Sequence, residues 1–143
     1  MGDQERRWTV AEWMTDIPIC IPPSLPVRSA FAKMRIGHFR HLLVMKDGDL
    51  VGMVTDRDLR RPDTSDEPEG WKDFYNLDDS VHVSDIMTRK LQTVGPDDPL
   101  SRAVDLFLDH RFGALPVTDD GGRVAGILST HDVMRAAREL LPR

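Results

Sequence analysis

The sequence predicts a mixed α/β (α+β) fold made by duplication, with two β-α-β-β-α repeats packed sheet to sheet, and three observations lead to it. A motif in the middle of the chain, Gly52-Met53-Val54-Thr55-Asp56-Arg57-Asp58-Leu59, returns near its end as Gly126-Ile127-Leu128-Ser129-Thr130-His131-Asp132-Val133. Each copy is a glycine, an apolar stretch, a hydroxyl and an acid three residues after it. Second, Val10-Ala11-Glu12-Trp13-Met14-Thr15 answers Val83-Ser84-Asp85-Ile86-Met87-Thr88 at an offset of 73 (87 − 14). Pro26 and Pro99, Ala30 and Ala103, Phe39 and Phe112, and Val44 and Val117 keep that offset. Third, apolar spacing alternates between helical and strand periods in the same order within each copy.

Each element has its own signal. A short strand opens the unit at 17–21 and again at 91–94. Val27, Ala30, Phe31 and Met34 then fall at i, i+3, i+4 and i+7, and Leu100, Ala103, Val104, Phe107 and Leu108 repeat the stripe, so each helix buries one face. Pro26 and Pro99 stand where a first helical turn tolerates proline. Two apolar runs joined by an Asp-Gly turn, 41–45 with 50–55, read as a β-hairpin, and 114–118 with 124–129 read the same way. At the motif acids the offset has grown to 74 (132 − 58), which places one additional residue in the tight turn, 119–123 against 46–49. A residue inserted in a loop costs little. A second helix closes each repeat, with Val133, Met134, Ala137, Leu140 and Leu141 as the apolar stripe of the last one. Two helices cover only one face of a three-stranded sheet, and the sibling repeat is the natural cover for the other.

The organisation is a first repeat at 8–61, a linker at 62–82 and a second repeat at 83–143. The stretch from Arg60 to His82 begins acidic and turns aromatic at Trp71, Phe74 and Tyr75. It exceeds the roughly 12–15 residues of a plain connector, and a solvated linker whose aromatics cover the core edge is preferred over a ligand lid or partner site.

Composition narrows the function. At 143 residues with 40% hydrophobic residues the chain can fill one core, or two small halves that share one. A net charge of −5 and a pI near 5.5 argue against nucleic-acid binding, which leaves a basic footprint. The lone cysteine, Cys20, excludes an intrachain disulfide and a cysteine metal cluster, and a reducing cytoplasm fits best. Cys20 is expected as a small hydrophobe within a buried strand. No run approaches the roughly 18 apolar residues of a membrane span, so no membrane partner is expected. His38, His41, His82, His110 and His131 show no metal-ligand spacing, so no metal is expected. No phosphate loop, nucleophile elbow or paired-acid signature is present, so the chain is not read as an enzyme.

The two Met-Thr segments, the stretch His110-Arg111-Phe112-Gly113-Ala114-Leu115-Pro116-Val117, the hairpin turns and the two hydroxyl-acid motifs together resemble a tandem pair of cystathionine-β-synthase-type (CBS) domains, the Bateman module. The resemblance covers nearly the whole chain. It implies two repeats about a pseudo-twofold axis, with two clefts that take adenine nucleotides as regulatory ligands and no required cofactor. One cleft would use Met53, Thr55, Arg57 and Asp58, with Met87, Gln92, Phe112 and Gly113. The other would use Ile127, Ser129, His131, Asp132 and His110, with Met14, Ile19, Phe39 and Arg40. Arg40 stands where the second repeat has Gly113, and either grips a phosphate or fills the cleft.

Elementary chemistry is compatible with these roles. A hydroxyl and free N–H groups at a helix start suit an anion, and a carboxylate there accepts from a vicinal diol. Thr55-x-x-Asp58 and Ser129-x-x-Asp132 also resemble capping boxes, which a ligand-free protein would need for its helices alone. The Asp58 cleft is preferred, because its Thr55-Asp56-Arg57-Asp58 brings threonine, arginine and acid together where the other copy has His131. The resulting expectation is a stand-alone regulatory module that binds AMP, ADP or ATP, dimerises with itself through its helices, and signals in trans to an effector protein. A ligand-free scaffold, a sensor of S-adenosylmethionine or a cyclic dinucleotide, and a small nucleotide-acting enzyme are the alternatives.

Overall fold

The computed structural model describes residues 7–59 and 80–142. Trp71, Phe74, Tyr75 and most of the expected linker lie outside the described residues. Along the chain the elements are α1 (Val10–Trp13), β1 (Cys20–Ile21), α2 (Val27–Gly37), β2 (His41–Lys46), β3 (Asp49–Thr55), α3 (Asp56–Leu59), α4 (Val83–Ile86), α5 (Leu100–Asp109), β4 (Ala114–Thr118), β5 (Val124–Ser129) and α6 (Thr130–Leu140). They form two compact units, a central one of Ile19–Lys90 and a terminal one of Met1–Pro18 with Leu91–Arg143. The units cut across the sequence repeats, because each takes its lead-in helix from the other repeat.

In the central unit the sheet order is β1-β2-β3, with β1 parallel to β2 and β2 antiparallel to β3. Asp47 and Gly48 both adopt positive φ (51° and 86°) between the paired Lys46 and Asp49, the mark of a two-residue primed turn. The expected stripe Val27, Ala30, Phe31 and Met34 is buried in full, packed with Leu42, Val44 and Val54. Burying each large apolar side chain contributes about 1.5–3 kcal/mol. Val83 of α4 is fully buried in the same core. Its N–H reaches Leu25 O at 2.9 Å and that of Ser84 reaches Pro23 O at 3.0 Å, so the first donors of α4 are satisfied.

The terminal unit repeats this plan with shorter ladders. β4 pairs antiparallel with β5, and the expected strand at 91–94 is reduced to a parallel bridge between Val94 and Val117. The strand expected at 17–21 likewise survives only as β1. Val10 of α1 is fully buried beside Leu100, Ala103, Leu115, Val117 and Leu128. Its N–H meets Asp98 O at 3.0 Å, the counterpart of Val83 and Leu25 shifted by the repeat offset. Val44 pairs with Gly52 and Val117 with Gly126, so the additional residue of the second repeat falls in its turn. There Asp119 accepts from the N–H groups of Gly121 and Arg123, each at 2.9 Å.

The last two apolar stripes differ from expectation. Leu108, Met134 and Leu141 are 79%, 67% and 58% exposed. Asp132 and Ala136 define the inward face of α6, and Met134, two residues on, points roughly 200° round the helix. Leu141 lies just past the end of that helix. Cys20 is exposed rather than buried, since Ile21 takes the inward position of the two-residue strand.

The lead-in segments end on the exit strands. Met53 and Thr88 exchange both backbone bonds (3.0 and 2.9 Å), and Thr15 and Ile127 do the same (2.9 Å each). Glycine makes this approach possible. A Cβ on Gly52 would stand 2.6 Å from Met87 Sδ, and one on Gly126 would collide with the Thr15 carbonyl oxygen. Gly126→Ala is therefore expected to destabilise the protein by about 1–3 kcal/mol in urea titrations, and Gly52→Ala by less, because its nearest neighbour is a flexible thioether and the Thr88 carbonyl oxygen stands farther off, at 3.0 Å. Partial desolvation raises the Cys20 thiol above its ordinary pKa, so its alkylation near neutral pH should be slower than that of free cysteine and should keep rising at pH values where free cysteine has levelled off.

Candidate functional site

The two hydroxyl-acid pairs sit where each exit strand becomes a helix. Thr55 N–H donates to the Asp58 carboxylate at 3.0 Å, and Asp58 N–H donates to Thr55 Oγ1 at 3.1 Å. In the terminal unit Ser129 N–H reaches the Asp132 carboxylate at 2.9 Å, and Asp132 N–H reaches Ser129 Oγ at 3.1 Å. Both pairs are closed capping boxes with aspartate in the reciprocal place. The backbone beside them is also alike: Asp56 N–H donates to Arg40 O and Thr130 N–H to Gly113 O, each at 3.0 Å. Positions 40 and 113 thus flank the helix starts.

A capping box uses one oxygen of its acid, and the second decides what else the acid can do. In Asp58 that oxygen accepts no hydrogen bond among the described residues. Asp132 is 7% exposed, and its second oxygen accepts from Arg135 Nη2 at 3.0 Å. Asp58 is the more open acceptor.

The central unit holds Ile19, Phe39, Arg40, Met53, Thr55, Arg57, Asp58 and Met87 of the expected site residues. It joins most of them through the strand end: Met53 on the exit strand and Met87 alongside it are buried at 3% and 9%, and Arg57 and Arg40 are exposed next to the capping box. Ile19 is half-buried, and its carbonyl accepts from Leu43 N–H at 3.0 Å. Phe39 is 39% exposed after a left-handed His38 (φ 58°), and a Cβ on Gly37 would collide with its ring.

The terminal unit holds Met14, Gln92, His110, Phe112, Gly113, Ile127, Ser129, His131 and Asp132. At the lead-in pairing Ile127 faces Thr15 and the Met14 thioether lies against Gly126, while Gln92 and His131 are exposed. The rings of His110 and Phe112 stack at 5.3 Å with 28° between planes. Arg135 and Trp13 were not singled out by sequence. The i, i+3 spacing of Asp132 and Arg135 was readable, whereas nothing in the sequence joins Trp13 to them.

This is the architecture of a duplicated α/β repeat, and comparison with known proteins agrees. Residues 10–62 and 83–139 match the CBS domain family, and the chain belongs to it as a tandem pair. CBSX2 from Arabidopsis thaliana is 29% identical, with a TM-score of 0.81 over 93% of this chain and 96% of that one. The structure of CBSX2 in complex with AMP is 32% identical, with a TM-score of 0.77 over 94% and 99%. Among curated relatives, the uncharacterized protein MJ1225 of Methanocaldococcus jannaschii is 27% identical over 88% of this chain and 46% of its own length. A homoserine O-acetyltransferase of Methanocorpusculum labreanum is 34% identical over 85% of this chain and 23% of its own length. The chain thus spans less than half of these two curated relatives.

The capping boxes carry their own test. Thr55→Ala and Ser129→Ala should each lower unliganded stability by about 0.5–2 kcal/mol in chemical denaturation, because each leaves a helix-start N–H without its side-chain acceptor.

Proposed function

We propose that this chain is a non-catalytic regulatory module that binds an adenine nucleotide (AMP, ADP or ATP) and passes its occupancy to a partner. The observation that carries the proposal is the Asp58 carboxylate, which is held in place by Thr55 while its second oxygen remains an acceptor beside exposed Arg57. An oriented carboxylate suits a ribose diol, and an exposed guanidinium suits phosphate. CBSX2, the relative crystallised with AMP, supports adenine as the base. In this reading the residues that hold nucleotide are Met53, Thr55, Arg57, Asp58 and Met87 in the central unit, and Met14, His110, Ile127, Ser129, His131 and Asp132 in the terminal unit. The module acts as a homodimer on an effector protein in the cytoplasm. Among the described residues no helix is long and apolar enough to cross a membrane.

Calorimetric titration with AMP, ADP, ATP, S-adenosylmethionine and a cyclic dinucleotide tests the reading. At least one of AMP, ADP and ATP should bind, and Asp58→Ala should weaken it by about tenfold or more, since a charged hydrogen-bond acceptor is lost. Saturation at about 100 times the dissociation constant should stabilise the fold by ~2.7 kcal/mol. Silence of every adenine compound in both measurements would favour the ligand-free scaffold, and nucleotide turnover abolished by Asp58→Ala would favour an enzyme.

A further inference from the structure

In the terminal unit one guanidinium joins three groups. Arg135 Nη2 donates to Asp132 Oδ1 at 3.0 Å and to the carbonyl oxygen of Trp13 at 3.2 Å, while the guanidinium carbon lies 5.7 Å from the centre of the Trp13 ring. Trp13 is the last residue of α1, so the carbonyl that Arg135 holds is one of those a helix end leaves without an internal partner. The indole of Trp13 in turn donates from Nε1 to Arg7 O at 2.6 Å. A continuous set of contacts therefore runs from a buried carboxylate on α6 to the segment that leads into α1.

We propose that Arg135 is a positioning residue that couples the Asp132 carboxylate to α1, so that a vicinal diol bound at Asp132 is read out at Trp13. The proposal rests on the reading of Asp132 as a nucleotide-diol acceptor. One oxygen of Asp132 is fixed by the Ser129 N–H, so an arriving diol must share Oδ1 with Arg135. Its two hydroxyls draw electron density from that oxygen and weaken the ion pair. The Arg135 side chain is 42% exposed against 10% for Asp132, so the arginine is the partner free to move. Any shift of the guanidinium alters its stacking on the indole and its hold on the Trp13 carbonyl together. In the central unit the counterpart of Trp13, by the repeat offset of 73, is Ile86, which has neither a ring nor a side-chain donor.

The indole N–H resonance of Trp13 in the full chain tests this, assigned by its loss in Trp13→Phe. Without ligand, Asp132→Asn should move the Trp13 resonance, and the same substitution made on Arg135→Met should move it no further. Arg135→Gln keeps a polar side chain at this half-buried position and serves in the same way if the methionine variant fails to fold. With AMP as probe, the Trp13 resonance of the wild type should shift, and Arg135→Met should abolish that shift while changing the calorimetric affinity by less than about tenfold. If Asp132→Asn moves Trp13 equally with and without Arg135, or leaves it unmoved, the coupling is overturned. If AMP binds nowhere while the unliganded variants behave as stated, the coupling stands and the nucleotide reading falls.

Discussion

The double backbone pairing between each lead-in segment and an exit strand is the constraint on which the rest of the structure depends. Thr88 adds two hydrogen bonds to the outer edge of β3, and Thr15 adds two to β5. These bonds place Met87 against Gly52 and Met14 against Gly126, and they anchor α4 and α1 above cores drawn from the other repeat. Removing the pairing would expose Val83 or Val10, each fully buried, and would leave the edge of an exit strand open. The glycine of the repeated motif serves this approach. Neither Gly52 nor Gly126 has a positive φ, so the requirement is for space rather than for an unusual backbone angle.

The same constraint explains why the motif works as a unit. Three residues after the glycine, the strand must stop and a helix must start, which leaves N–H groups in need of acceptors. Thr55 with Asp58, and Ser129 with Asp132, meet that need reciprocally. Capping and the proposed ligand binding are therefore compatible uses of one carboxylate rather than rival explanations. Each box fixes the acid's orientation with one oxygen, and the neighbourhood of the other oxygen sets the difference between the two units. At Asp58 it is unpartnered among the described residues, and at Asp132 it is held by Arg135.

Much of this was legible in the sequence because it is periodic. The stripe of α2, both hairpins, the added turn residue and the capping potential of the two motifs all follow from local spacing, and all are present. What sequence missed is tertiary. Exchange of the lead-in helices between repeats leaves no trace in spacing, since the offset of 73 is the same whichever core Val10 enters. The outward turn of Leu108 and Met134 was hidden because both helices carry more apolar residues than one buried face holds. Cys20 was misplaced because a two-residue strand has one inward position, and Ile21 fills it. The link from Asp132 through Arg135 to Trp13 spans 122 residues of chain between Arg135 and Trp13, beyond any local pattern.

The exchanged lead-in segments also order the events of synthesis. As the chain leaves the ribosome, β3 is complete at Thr55, yet its edge partner Thr88 has still to be made, so the central unit closes only after the second repeat has begun. Thr15 waits far longer, until Ile127 emerges near the other end of the chain. Closing so long a loop adds little free-energy cost beyond that of a shorter one, because the entropy grows only with the logarithm of length. The cost is time: Val10 and Trp13 are made well before the second-repeat residues they pack against, so their apolar side chains wait uncovered in the interval.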